Sequence, residues 1–258
     1  MPGPDASSPP PHILVLWDID HTLIETRGVG LAIYERAFPV ATGSPFQQLA
    51  EVTGRTELVI MRKTLQLHGV EPTDEVVRRL ATALVQGYED ARQELATIGR
   101  VLPGAEETLA VLAVDPRVHQ AVLSGNLRTV SRIKLEVFGL DPYLDLASSA
   151  YGDDHTERPE LVAIARQRAT ERTAVVFDHQ HTVLIGDTPK DVEAALTAGV
   201  RVIGVASGKS DAAELREAGA EIVLPDLRDV PRTLKEIAAR IQRNSGAGRL
   251  GMSERWPT

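Results

Sequence analysis

What most constrains this chain is an alternation. Six short runs of aliphatic and β-branched residues recur along it: ILVLW (Ile13–Trp17), HQAVLS (His119–Ser124), YLDLAS (Tyr143–Ser148), TVLIG (Thr182–Gly186), RVIGVA (Arg201–Ala206) and EIVLP (Glu221–Pro225). Runs this short and this continuously apolar suit parallel strands covered on both faces. Between them, NLRTVSRIKLEVFG, RPELVAIARQRATE, PKDVEAALTAG and SDAAELREAGA carry apolar residues at helical spacing. Strand and helix in turn imply an α/β fold with a doubly wound parallel sheet. Ligands of such sheets bind in the crevice beyond the carboxyl ends of the strands.

One connection is out of proportion. From Thr26 to Arg100 no strand-like run occurs, whereas TELVIMRKTLQLHG and TDEVVRRLATALVQGYEDARQELATI read as helical. Thr73 stands where an N-cap belongs, with Asp74 and Glu75 in the first turn, where the helix dipole favours acids. A crossover needs about a dozen residues, and longer excursions are usually lids or separate modules. We therefore expect an all-helical cap over 26–100, inserted into an α/β core made of 13–25 and 101–243; a thick helical layer on the same sheet is the alternative. The Pro- and Ser-rich segment 1–12 and the segment 244–258 read as flexible tails. Within the latter, GAGRLG (Gly246–Gly251) matches the dinucleotide pattern G-x-G-x-x-G. It follows the helical RTLKEIAARIQR instead of a strand and opens no helix, so it reads as tail.

The formal net charge of −8 repels phosphate backbones and anionic lipid, so neither nucleic acid nor a membrane surface is an expected partner. No apolar run reaches the ~18 residues of a membrane span, and 1–12 lack the basic start and apolar stretch of a secretory signal. There is no cysteine, which excludes disulfides and thiolate metal sites and fits a cytoplasmic protein.

Three strand ends carry candidate chemistry. In LVLWDIDHTLI, Asp18 and Asp20 lie two apart, so on an extended chain their side chains share one side. Two bare carboxylates there repel, a cost relieved if a divalent cation neutralises one and the other works as an acid. Acids at strand ends also cap helices, so the pair alone is ambiguous. In VLSGN, Ser124 can donate its hydroxyl to an oxyanion, Gly125 allows close backbone approach and Asn126 can cap the next helix. In LIGDTPKD, Thr188 reads as N-cap and Pro189 as the first helical residue. Asp191 fits a helix start; Asp187 precedes the cap and has no such duty. With Asp18 it would make an all-oxygen site of the kind Mg²⁺ prefers.

In this order, DIDHT, Ser124 and GDTPKD resemble the first, second and fourth motifs of the haloacid dehalogenase-like hydrolase superfamily, on its branch of magnesium-dependent phosphatases similar to phosphoglycolate phosphatases. The long insertion matches that family's helical cap, and the resemblance spans Ile13 to Ile241. It implies that Asp18 is the nucleophile and Asp20 the acid/base. It further implies that Mg²⁺ is held by Asp18, the backbone carbonyl of Asp20 and Asp187, with Asp191 in support, and that Ser124 and Gly125 bind phosphoryl oxygens. The family's third motif is usually a lysine; here Arg158-Pro159, in GDDHTERPEL, stands in its place. Arginine keeps the charge with a fork of different reach; a surface arginine heading a helix is the other reading. Arg55, in VTGRTEL, resembles the family's substrate-selecting loop, or is simply exposed. His21 would point away from Asp20 on an extended chain, and His155, His179 and His181 lack ligand spacing.

The expected function is hydrolysis of a small phosphorylated metabolite by a monomer or homodimer. A sugar phosphomutase would use the same residues. A dehalogenase is disfavoured by Asp20, a phospho-receiver domain by the helical insertion. A non-catalytic phosphate-binding relative has only Arg158 in its support.

Overall fold

The computed structural model describes residues 13–242. The two expected tails, and GAGRLG with them, lie outside the described residues.

The core is a sheet of β1 (Ile13–Trp17), β4 (Val118–Val122), β5 (Thr182–Gly186), β6 (Arg201–Val205) and β7 (Ile222–Leu224), in the order β4-β1-β5-β6-β7 with every pair parallel. β1 alternates between two buried layers. Ile13, Val15 and Trp17 meet α5 (Ala105–Ala113) and α10 (Val230–Gln242) on one face. Leu14 and Leu16 meet α7 (Arg158–Thr173), α8 (Pro189–Thr197) and α9 (Ala212–Glu217) on the other. This is the doubly wound arrangement, and it explains why β1 is apolar at every position. The chain passes from β1 to β4 on one side and to β5 on the other, so the crevice opens at the end of β1.

Between β1 and the insertion the strand does not continue. His21 has φ 61°, and Ile19 carbonyl accepts from the N–H groups of Leu23 and Ile24 at 2.9 and 3.1 Å. The chain therefore makes a tight turn before β2 (Ile24–Glu25), which pairs antiparallel with β3 (Arg100–Val101). Both crossings into the insertion are thus one short ribbon. The insertion comprises α1 (Val29–Thr42), α2 (Glu57–Leu67), α3 (Asp74–Asp90) and α4 (Arg92–Ile98). These helices share an apolar cluster of their own, built on Ile33, Phe38, Met61, Leu65, Leu80 and Leu84 and closed by Val130 and Ile133 of α6 (Arg128–Val137). The single helical stretch expected over 73–98 breaks at Ala91, and Thr73 accepts from Val76 N–H as its cap.

One expected strand is absent. Tyr143–Ser148 follows a 3₁₀ turn at Asp141–Tyr143 and runs along the free edge of β4 without a ladder. The Asp145 carboxylate accepts from Ala147 N–H at 3.1 Å and from the Ser148 hydroxyl at 2.8 Å, while the Ser149 hydroxyl takes the Val122 N–H at 2.8 Å. Local side-chain bonds replace the backbone ladder, as Asp and Ser favour. Parallel pairing survives as one bridge, Leu123 to Ala150.

Candidate active site

Asp18 follows β1 directly and keeps the strand's geometry, its N–H donating to Ile185 carbonyl at 2.9 Å. Asp187 follows β5, and Asp191 sits in the first turn of α8. The three carboxylates place oxygens within 4.8 Å of one another, all buried. Arg158, the first residue of α7, is 7 % exposed and reaches into this group. Its Nη2 donates to Asp18 Oδ1 at 2.8 Å and to Asp191 Oδ1 at 2.5 Å. It is therefore a buried element of the acidic cluster and not a surface arginine. Its Nε is buried without a protein partner, and an orphaned cationic donor at that depth calls for an anion.

The electrostatics of the cluster favour more positive charge than Arg158 supplies. Burial, then repulsion from Asp18 and Asp191, pushes the Asp187 carboxyl far above the usual range. Burial also raises Asp18, against the pull of Arg158 and with the push of Asp191 and Asp20. Three carboxylates share one guanidinium, and a hard divalent cation suits the donor set. Asp191 serves two tasks. Its Oδ2 accepts from Thr188 N–H and hydroxyl at 3.1 and 2.7 Å, forming a capping box, while Oδ1 holds Arg158.

Asp20 takes a different direction from Asp18. The Asp20 carboxylate meets Lys134 Nζ at 2.9 and 2.7 Å and Asn126 Nδ2 at 2.6 Å. Lys134 also donates to Asn126 Oδ1 at 2.8 Å and lies 5.3 Å from the Tyr88 ring centroid. Burial opposes ionisation of both partners. In Asp20 the Lys134 charge and the hydrogen bonds from Lys134 and Asn126 outweigh it, so the carboxyl is lowered; in Lys134 the Asp20 charge and hydrogen bond, together with Tyr88 and Glu57, outweigh it, so the ammonium is raised. Asn126 therefore ties Asp20 down instead of capping α6, whose cap position, Leu127, makes no side-chain bond.

Ser124 is 1 % exposed and lies behind Asn126, whose Nδ2 donates to its Oγ at 2.8 Å; Gly125 reaches the cavity wall. Gly125 is also where the inserted helices meet the core. Glu57 N–H donates to its carbonyl at 2.7 Å, and a Cβ on Gly125 would collide with the Arg55 carbonyl. The Thr56 hydroxyl donates to Thr156 carbonyl at 3.0 Å. The amino end of α2 is thus seated on the loop after β4.

Together these elements enclose a cavity of about 640 Å³ that Asp18, Asp20, Asp187, Arg158 and Gly125 line from the core. Tyr34, Arg55, Glu57, Ile60 and Tyr88 line it from the insertion. Arg55 is held by Glu51 at 2.6 Å. His21 lines the cavity as well, contrary to its expected outward course, because the left-handed turn carries it there.

Lys134, Glu57, Tyr34 and Tyr88 were not singled out by the sequence. Lys134 did leave a signal: with Val130, Ile133 and Val137 it occupies the apolar stripe of its helix. Glu57 left none, since a first-turn acid is ordinary.

The chain is similar in sequence and fold to known proteins. A family model described as "Haloacid dehalogenase-like hydrolase" matches residues 15–205. A probable phosphatase, IndB of Dickeya dadantii, is 27 % identical over 221 residues, covering 84 % of this chain and 91 % of that one. A phosphoglycolate phosphatase of Agrobacterium fabrum is 25 % identical over 226 residues, covering 86 % and 92 %. The crystal structure of a hydrolase from Pseudomonas syringae superposes with a TM-score of 0.65 at 24 % identity, covering 88 % of this chain and 99 % of that one.

Proposed function

Since the chain belongs to the haloacid dehalogenase-like hydrolases, we propose that it is a Mg²⁺-dependent phosphatase acting on a small phosphomonoester. The observation that carries this reading is the grouping of Asp18, Asp187 and Asp191 around Arg158 at a cavity that Asp20 also lines.

Asp18 attacks phosphorus, forming an aspartyl-phosphate and releasing the alcohol, so one displacement becomes two easier ones. Asp20, once protonated against the pull of Lys134, delivers that proton to the departing alkoxide oxygen, and as the carboxylate it then takes one from the water that hydrolyses the intermediate. Arg158 keeps Asp18 oriented through Nη2 and has its unpartnered Nε to donate to a phosphoryl oxygen. Gly125 N–H and the Ser124 hydroxyl are the remaining candidate donors to the phosphoryl group. The cation would be held by the carboxylates of Asp18 and Asp187 and the carbonyl of Asp20, with Asp191 in support, and would neutralise charge on the phosphoryl oxygens. The seated insertion keeps bulk water from the intermediate.

A cytoplasmic setting fits the absence of cysteine, and no helix among the described residues is long and apolar enough to cross a membrane.

Release of inorganic phosphate from p-nitrophenyl phosphate tests the reading. It should require Mg²⁺ and fall by about 10⁴-fold or more in Asp18→Asn. Activity that survives this substitution, or persists in excess EDTA, removes the mechanism. A sugar phosphate isomerised without net phosphate release would identify a mutase instead.

A further inference from the structure

The part of the cavity remote from Arg158 has a character of its own. Its deepest charged group on the side of the insertion is Glu57, held over the site by the bond from its own N–H to Gly125 carbonyl. The Tyr34 hydroxyl donates to Glu57 Oε1, and this is the hydrogen bond found on that carboxylate among the described residues. A carboxylate has about four acceptor positions, so most of its capacity faces the cavity. Burial pushes its carboxyl up, with the Tyr34 bond and the Lys134 charge opposing.

Three of the four lining cations other than Arg158, namely Arg55, Lys134 and Arg27, face a carboxylate of this chain, and Lys209 does not among the described residues. Arg55 is paired with Glu51 at 2.6 Å, and Lys134 with Asp20 at 2.7 Å. Arg27, half exposed, is 3.5 Å from Glu25, and Lys209 stands exposed at the rim. Leu31, Leu49 and Ile60 supply the apolar wall. A carboxylate or second phosphate on the ester's alcohol half would meet the like charge of Glu57, and the lining cations of the insertion, Arg55 and Arg27, already face Glu51 and Glu25. A two-carbon acid would also leave most of a 640 Å³ cavity unfilled.

Resting on the phosphomonoester reading, we propose that the alcohol half of the substrate carries hydrogen-bond donors, hydroxyl or ammonium, directed at Glu57, and no second anionic group. Glu57 is then the specificity-determining residue of the pocket, oriented by Tyr34. Polyol or sugar phosphates and amino-alcohol phosphates satisfy this chemistry; phosphorylated hydroxy acids do not.

The test measures kcat/KM of the full chain with Mg²⁺ on three esters: glycerol 3-phosphate (neutral), phosphoethanolamine (cationic) and 3-phosphoglycerate (anionic). The wild type should prefer the better of the first two over the third by at least about tenfold. Glu57→Gln should lower that preference by about tenfold or more, mainly by improving the anionic ester. Its loss should be larger on phosphoethanolamine than on glycerol 3-phosphate if the natural donor is an ammonium, and comparable on both if it is a hydroxyl. Calorimetric binding of the same esters to Asp18→Asn gives the ranking without turnover. If Glu57→Gln does not fold, the wild-type ranking decides alone. A wild type that favours 3-phosphoglycerate, or a Glu57→Gln protein with an unchanged ratio, overturns the inference while p-nitrophenyl phosphate hydrolysis still upholds the phosphatase. Absence of that hydrolysis removes both.

Discussion

Lys134→Met isolates the one buried ion pair that no sequence motif announces. The lysine side chain is 3 % exposed, and its ammonium makes three hydrogen bonds, two to Asp20 at 2.9 and 2.7 Å and one to Asn126 at 2.8 Å. Methionine fills a similar volume without the charge, so the change leaves the Asp20 carboxylate with Asn126 as its remaining close partner. Removing one partner of a fully buried pair costs about 3–5 kcal/mol, and the Asp20 side chain, 31 % exposed, is partly solvated from the cavity. Urea unfolding of the metal-free protein should therefore show a loss of about 1–3 kcal/mol. Asp20→Asn should also destabilise, since it strands the ammonium under the Tyr88 ring. The two together should cost less than their sum, by about 2 kcal/mol or more, because neither charge is then left alone. Additivity within ~0.5 kcal/mol would refute the claim that the two groups are one energetic unit. The same variant bears on chemistry. Lys134 positions Asp20 and holds its carboxyl low, so Lys134→Met should move the pH profile of alkyl phosphate hydrolysis, whose leaving group needs a proton, to higher pH, and that of p-nitrophenyl phosphate, whose leaving group does not, by less.

The remaining predictions follow from other parts of the molecule. Mg²⁺ at a hundred times its dissociation constant should stabilise the protein by about 2.7 kcal/mol, a rise in Tm of roughly 5–10 °C that EDTA reverses. Asp187→Asn should abolish that rise and make the metal-free protein more stable than the wild type, because its raised carboxyl costs stability when ionised. A metal response unchanged by Asp187→Asn would show that the cation binds elsewhere. Asp145 accepts from Arg172 at 2.6 Å and Ser148 at 2.8 Å and lies 3.3 Å from His119 Nε2; burial pushes its carboxyl up, but these bonds hold it well below the usual range. A lowered folded-state pKa stabilises fully above the unfolded value of about 3.9, and the contribution is lost as pH falls below it toward the folded pKa. Asp145→Asn should therefore reduce urea stability at pH 7, with the deficit shrinking below about pH 4; a deficit independent of pH would contradict the assignment.

How much of this was legible beforehand depended on the range over which each feature acts. β1 and β5 have the bounds that their apolar runs indicated, since both strands are buried on two faces and end at charged or small residues. Thr188, Pro189 and Asp191 announced the start of α8 because a capping box is completed within four residues. Tyr143–Ser148 misled for the same reason: its aliphatic residues read as strand, while Asp145, Ser148 and Ser149 close local bonds that a periodicity count does not weigh.

The site's finer geometry depends on encounters that local pattern does not encode. Asp18 and Asp20 are two residues apart, and spacing alone would aim both carboxylates into one group. Their partners differ all the same: Asp18 goes to Arg158, 140 positions away, and Asp20 to Lys134, 114 positions away. The first partner was legible because it heads a helix beside a proline where a cation is expected. The second was not, because a lysine within SRIKLEV looks like any solvated charge until its place on the apolar stripe is set against what faces it. What faces it is Tyr88, from α3 of the insertion, together with Asp20 from the core. Asp20, the proposed acid/base, is therefore held by a group that touches both parts of the molecule, just as Gly125 is covered by α2. A chain whose site is assembled at such a junction shows its proposed nucleophile and proposed cation-binding acids as short motifs. It conceals the residues that orient the acid and choose the alcohol, because these meet only when the insertion closes on the sheet.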